Sequence, residues 1–206
     1  MPNRRGFTLV EILVVIGILA VLFAILLPVF LRAKASARRA VCVTQLEQIA
    51  KATRMYADDY ERVIVPARTA VPGTGRGITW CVILQPYLRS EKILLCPDDP
   101  DPQPSAQSVC LPHSYGINYQ LAFNSLWGPA PFVTSIAQVQ RVSDIILFFD
   151  MPGTVAEMGS SYTSHRLSRV AFRHNDIGNF AYLDGHVKGL RKSAAGDIRA
   201  WDPFAG

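Results

Sequence analysis

No charged residue interrupts the chain between Ile12 and Leu31. As a helix that run is about 30 Å long, the thickness of a bilayer's hydrocarbon core. A secretory signal has a shorter apolar region followed by a small-x-small cleavage site. Here the run is too long for that, and Pro28-Val29-Phe30-Leu31-Arg32 is a poor site. No Cys-x-x-Cys occurs among the four cysteines Cys42, Cys81, Cys96 and Cys110, which argues against a zinc knuckle or a thioredoxin-type site. Neither Gly-x-Ser-x-Gly nor His-Glu-x-x-His is found, so no familiar hydrolase motif marks the chain. Internal repeats and low-complexity tracts are absent as well.

A single acid, Glu11, stands at the start of the apolar run, behind Arg4-Arg5-Gly6 and Phe7-Thr8-Leu9-Val10. Placing an ionised carboxylate at a membrane helix centre costs roughly 3 kcal/mol, less near an end, so a positive partner is expected. A plain signal anchor explains the length of the run but gains nothing from Glu11. Counting positive charges on either side does not orient the segment, because bases lie both before it and after it.

The 206 residues carry a net charge of +5. Residues 1–54 hold eight bases against two acids, +6, and the remainder holds thirteen against fourteen, −1. The excess is therefore juxtamembrane, suited to lipid headgroups or neighbouring stems. Nucleic-acid binding by the globular part is not expected. Four cysteines in an exported domain suggest disulfides and allow three connectivities. Cys96 and Cys110 flank the proline-rich stretch 97–102, and closing such a loop contributes roughly 3 kcal/mol in the chain-entropy picture.

The Arg4-Arg5-Gly6 leader, Phe7-Thr8-Leu9-Val10-Glu11 and the stem with Pro28 resemble the N-terminal signal of type IV pilins and type II secretion pseudopilins. The resemblance covers about the first 30 residues. It implies cleavage after Gly6 by a prepilin peptidase on the cytoplasmic face, N-methylation of Phe7, and pairing of Glu11 with the Phe7 amine of a neighbouring subunit. It also implies an inner-membrane assembly platform and other pilin or pseudopilin subunits as partners. The chain would first be a single-pass inner-membrane protein with its globular domain outside the cytoplasm, then part of a periplasmic or cell-surface filament. The chemistry stands on its own terms: an ammonium and a carboxylate in hydrocarbon are each costly alone, and pairing them selects one axial stagger between stems.

Along the chain, residues 1–6 read as a leader, 7–31 as a transmembrane and assembly helix, and 32–60 as an amphipathic extension. Residues 61–206 read as a globular α+β domain. Cys42, Leu46, Ile49, Thr53, Tyr56 and Tyr60 recur at helical spacing and lie on one face. Cys42 thereby points at the globular domain, where a partner cysteine is possible. Residues 63–79 read as loop, 80–88 as a short helix or turn, and 114–121 as irregular. Ile145–Phe149 reads as a central strand. Arg169–Arg173, Asn179–Leu183 and His186–Leu190 read as an antiparallel meander, with a two-residue turn at Asp184-Gly185. The fold class is pilin-like α+β: a long N-terminal helix packed by its C-terminal half on a small antiparallel sheet.

His174, nine residues and then Asp184-Gly185 resemble the H-X9-DG signature of a large group of bacterial proteins with prepilin-type N-termini. Cys42, Tyr56-Ala57-Asp58-Asp59-Tyr60, Leu95-Cys96-Pro97 and Ser114-Tyr115-Gly116-Ile117-Asn118-Tyr119 fit the same group. The resemblance implies pilin-like architecture and processing but no chemistry. It implies a Cys42–Cys96 bond tying sheet to stem, in competition with Cys96–Cys110.

An enzyme would have to draw on His113, His165, His174, His186, Asp150 and Asp184. On paper His174, Asp184 and His186 resemble a metal site. The alternative is a turn aspartate bonded to its own backbone and two histidines on a strand face, and that reading is preferred. The acidic stretch Asp98-Asp99-Asp101 has no calcium-loop spacing and is expected to be solvated. The sequence therefore predicts a structural subunit rather than an enzyme, with no cofactor. Alternatives are a processed, membrane-tethered binding module that does not polymerise, or a tethered metal-dependent enzyme.

Overall fold

The computed structural model describes residues 8–70, 77–102, 108–109, 111–118, 120–122, 135–152, 169–196 and 201–202. Gly6, Phe7, Cys110, Tyr119 and His165 lie outside the described residues. The chain forms two compact units, Met1–Ala37 and Arg38–Gly206.

A single helix, α1, runs from Leu9 to Asp59 with Pro28 inside it. In the first unit every large apolar side chain of α1 is exposed, from Leu9 at 81% to Leu19 at 46%. A water-soluble helix does not leave such a face open on all sides, and α1 is long and apolar enough to cross a membrane. In the second unit the same helix becomes amphipathic. Cys42, Leu46, Ile49, Ala50, Thr53 and Ala57 are buried there. The helix stops because Glu61 and Arg62 adopt left-handed backbone (φ 49° and 63°), which lets Arg62 N bond back to Ala57 O at 2.7 Å.

Among the described residues seven strands form two sheets. The smaller has the order β1 (Arg68–Ala70), β2 (Gly77–Thr79), β3 (Ser108–Val109). It occupies part of the stretch expected to be loop, and a short helix α2 (Trp80–Ile83) follows β2 directly. The larger sheet is fully antiparallel, with the order β4 (Tyr115–Ile117), β5 (Ile146–Asp150), β6 (Ile177–Tyr182), β7 (Val187–Arg191).

The near-continuous apolar run of β5 is explained by burial on both faces. Leu147 and Phe148 join Cys42, Leu46 and Ile49 of α1 in one core. Ile146 and Phe149 join Phe180 and Trp201 in a second core on the other side. A register shift between Ile146 and Phe148 lets two successive residues, Leu147 and Phe148, serve the helix side.

Three local expectations change. Residues 114–121 contain a strand, β4, whose glycine disguises it. A Cβ at Gly116 would stand 2.8 Å from Phe149 Cζ, so the close approach of β5 demands glycine there. Arg169–Arg173 is not a strand, because both edges of β6 are already taken, by β5 and β7. A two-residue turn at Asn175-Asp176 (φ 54° and 61°) then carries the chain into β6. Finally, the β6–β7 connection has four residues, Leu183, Asp184, Gly185 and His186, with Tyr182 N donating to His186 O at 2.9 Å and Gly185 at φ 96°.

Candidate functional site

Among the described residues two places concentrate polar chemistry. The first is the start of α1. Thr8 N and Thr8 Oγ1 both donate to Glu11 Oε2 at 2.8 Å, and Glu11 N donates to Thr8 Oγ1 at 3.3 Å. This reciprocal pattern is a capping box, which satisfies backbone donors that a helix start leaves open. The partner expected for Glu11 was a cation. Within the chain itself the carboxylate is held by the threonine three positions before it. The sequence Thr-x-x-Glu carried that signal beside the charge argument.

The second place lies inside the second unit, between α1, the stretch 94–99 and the β5–β6 edge. Cys42, Cys96 and His174 bring one ligand atom each to within 4.8 Å of one another. Cys96 Sγ lies 3.6 Å from His174 Nε2, and Asp150 Oδ2 lies 3.6 Å from the same nitrogen. All four residues are buried. Each is placed by a different element: Cys42 by the helix stripe, Cys96 by the turn that follows Leu94, Asp150 by the end of β5, and His174 by the turn into β6.

A shell of hydrogen bonds fixes them. His174 Nδ1 donates to Asp98 Oδ2 at 3.0 Å, and Arg38 Nη1 pairs with Asp98 Oδ1 at 3.0 Å. Asn179 gives Asp150 Oδ2 both its backbone N (2.8 Å) and its Nδ2 (2.9 Å), while Arg39 Nε donates to Asn179 Oδ1 at 3.3 Å. Arg173 pairs with Asp99 at 2.9 Å and donates to Met151 O. Cys96 N donates to Ser114 Oγ at 3.0 Å.

The electrostatics follow from crowding ionisable groups away from water. Burial pushes the Asp150 carboxyl up to about 7, against the pull of Asn179 N and His174. The hydrogen bond from Cys42 is the largest influence holding the Cys96 thiol down at about 5, and it raises Cys42 in turn. Burial alone would depress His174, yet its contact with Cys96 and the charges of Asp150, Cys96 and Asp98 raise it.

These positions revise several expectations. Asp98 and Asp99 are not a solvated stretch; they are partners of His174, Arg38 and Arg173, and the Asp99 side chain is 4% exposed. Arg38 and Arg39, counted with the juxtamembrane charge, contact Asp98 and Asn179 in the domain. The trio His174, Asp184 and His186 is not brought together. Asp184 Oδ1 accepts from His186 N at 3.0 Å and from His186 Nδ1 at 2.6 Å on the surface, and His186 stacks on Tyr182. His113 is buried against Trp80 and bonds to Leu111 O. Cys42 and Cys96 lie side by side as free thiols, and Cys81 Sγ sits 2.9 Å from Thr79 Oγ1.

The family described as the prokaryotic N-terminal methylation motif matches residues 1–27. The type IV wide pilus major component PilA4 of Thermus thermophilus is 42% identical over 59 residues. The chain is type IV pilin-like. The similarity to PilA4 takes in 29% of this chain and 45% of the relative, so under half of that protein's length is spanned. No solved structure matches the chain.

In this pilin-like chain the architecture agrees with that likeness: a long N-terminal helix followed by a small antiparallel sheet domain. The buried cluster is the feature sequence reading assembled only in pieces. Cys42, Cys96, Asp150 and His174 were each singled out, but for separate reasons. Asn179 and Asp98, which hold two of them, carried no signal beyond polar residues on a strand and in an acidic stretch.

Proposed function

We propose that this protein is a structural filament subunit, made as a precursor and cut after Gly6 by a prepilin peptidase. Phe7 is then N-methylated, and the apolar part of α1 is the assembly helix. The observation that carries this reading is the wholly exposed apolar surface of α1 before residue 32, headed by Glu11 and matching the methylation motif. Exposed apolar area on this scale needs lipid first and neighbouring stems later.

Hydrophobic contact between stems supplies adhesion without register. The Glu11 carboxylate, meeting the new Phe7 ammonium of a neighbour, supplies register, since each charge in hydrocarbon is stabilised by the other. Inner-membrane assembly machinery lifts the subunit into a type IV pilus or a type II secretion pseudopilus. A structural rather than catalytic role is supported by the burial of the Cys42, Cys96, His174 and Asp150 side chains, which offers a substrate no approach.

The test uses the full protein in its own cells. N-terminal sequencing of the cellular protein should begin at methylated Phe7, and sheared filament fractions should contain it. A working protein that still begins at Met1 overturns the processing step. A processed protein found in membranes and never in filaments overturns assembly and leaves a tethered module.

A further inference from the structure

We propose that Cys42, Cys96, His174 and Asp150 form a zinc site that staples the helix to the sheet. The donor set is two sulfurs, one imidazole nitrogen and one carboxylate, which suits tetrahedral zinc. With metal bonds of the usual lengths, a tetrahedron sets sulfur and nitrogen about 3.6 Å apart and nitrogen and oxygen about 3.3 Å apart. The corresponding distances here are 3.6 Å for Cys96 Sγ to His174 Nε2 and 3.6 Å for His174 Nε2 to Asp150 Oδ2. Cys42 Sγ lies within 4.8 Å of both other ligand atoms of its group. Cys42, Cys96 and His174 form one compact group, and Asp150, next to His174 Nε2 but outside that group, turns in to complete the set.

The surroundings are those of a metal site as well. A carboxylate only accepts, so the bond from His174 Nδ1 to Asp98 places the proton on Nδ1 and leaves the Nε2 lone pair facing the cluster. That carboxylate–histidine arrangement fixes the ring and strengthens it as a ligand. Arg38 anchors Asp98 from behind, and Asn179 anchors Asp150. Asp150 Oδ1 is buried and has no hydrogen-bond partner among the described residues. An unpartnered oxygen makes a buried carboxylate costly, and a cation held by the same carboxylate lowers that cost by neutralising its charge.

On binding, zinc takes the sulfurs of Cys42 and Cys96 as thiolates and Asp150 as a carboxylate, and the protons these groups still carry leave to solvent. No oxidant takes part. A disulfide between the same two sulfurs would remove both ligands, so zinc and a Cys42–Cys96 bond exclude each other. The four ligands come from four separate elements, so one ion ties α1 to β5, to the turn into β6 and to the stretch after Leu94.

The experiment uses the full chain purified from membranes in detergent without added metal. Elemental analysis should find a single zinc per chain. Zinc should protect Cys42 and Cys96 from alkylation, and a chelator should expose them. Cys42→Ser, Cys96→Ser and His174→Ala should each lose the zinc, whereas His186→Ala on the surface should keep all of it. Should those three variants not fold, cobalt loaded into the stripped wild type should give thiolate-to-cobalt charge-transfer absorption and tetrahedral ligand-field bands. Zinc retained by folded Cys42→Ser and Cys96→Ser variants overturns the site. So does a Cys42–Cys96 disulfide in peptides mapped from the native protein. A reduced, stripped wild type that takes up neither zinc nor cobalt overturns it too.

Discussion

Glu11 has two separable jobs, and a pair of substitutions tells them apart. Its carboxylate accepts two 2.8 Å bonds from Thr8, which cap α1. Losing such a cap costs about 0.5–2 kcal/mol. Its charge, by contrast, is argued to neutralise an ammonium in hydrocarbon, and stranding one member of a buried pair costs about 3–5 kcal/mol. Glutamine serves in a capping box as well as glutamate, so Glu11→Gln keeps the helix start and removes only the charge. Glu11→Ala removes both. If the charge sets the stagger, both variants should reach the membrane at wild-type levels and lose filament yield at least about 100-fold, since 1.4 kcal/mol is a factor of ten. The assay is the amount of protein in sheared filaments, normalised to processed protein in membranes. Wild-type filament yield from Glu11→Gln, with failure confined to Glu11→Ala, would show a helix cap and refute the register argument.

Three further outcomes follow from the domain. Leu46→Ala, at a fully buried position where α1 meets the sheet, should destabilise the domain by about 2–5 kcal/mol in urea unfolding, with a loss under 1 kcal/mol contradicting the core assignment. Gly185→Val should cost about 1–2 kcal/mol from the φ of 96° alone, because the nearest atoms to a Cβ there are 3.7 Å away; an unchanged melting temperature would count against a strained turn. In the reduced, metal-stripped protein, Asp150 keeps a proton when folded that the unfolded chain releases between the ordinary carboxyl value and about 7. Its contribution therefore falls as pH rises through that window, by up to about 1.4 kcal/mol per unit. Cys96, held down at about 5, contributes the opposite slope, so the readout is the difference between Asp150→Asn and wild type; parallel pH profiles would remove Asp150 as a titrating group.

Much of the fold was legible because it rests on short-range periodicity. The stripe from Cys42 to Thr53 has helical spacing, and a helix reports its face at every turn; Tyr60, expected on the same face, lies past Asp59 and is exposed. Ile145–Phe149 announced an inner strand by being apolar at nearly every position. What failed was non-local. Whether Arg169–Arg173 pairs depends on whether an edge of β6 is vacant, and β5 and β7 decide that. Gly116 looks like a poor strand residue until Phe149 is seen against it.

The chain order of its first thirty residues is enough to establish a membrane-length apolar run, most of it within a methylation motif over residues 1–27. An unbroken apolar run and one acid are local facts that no later residue can change. The gathering of Cys42, Cys96, Asp150 and His174 is of the other kind. These residues are far apart along the backbone, and spacing says nothing about distances across a core. Only the packing of α1 on the sheet, with one turn leading into β6 and another following Leu94, brings two sulfurs, an imidazole and a carboxylate out of water together.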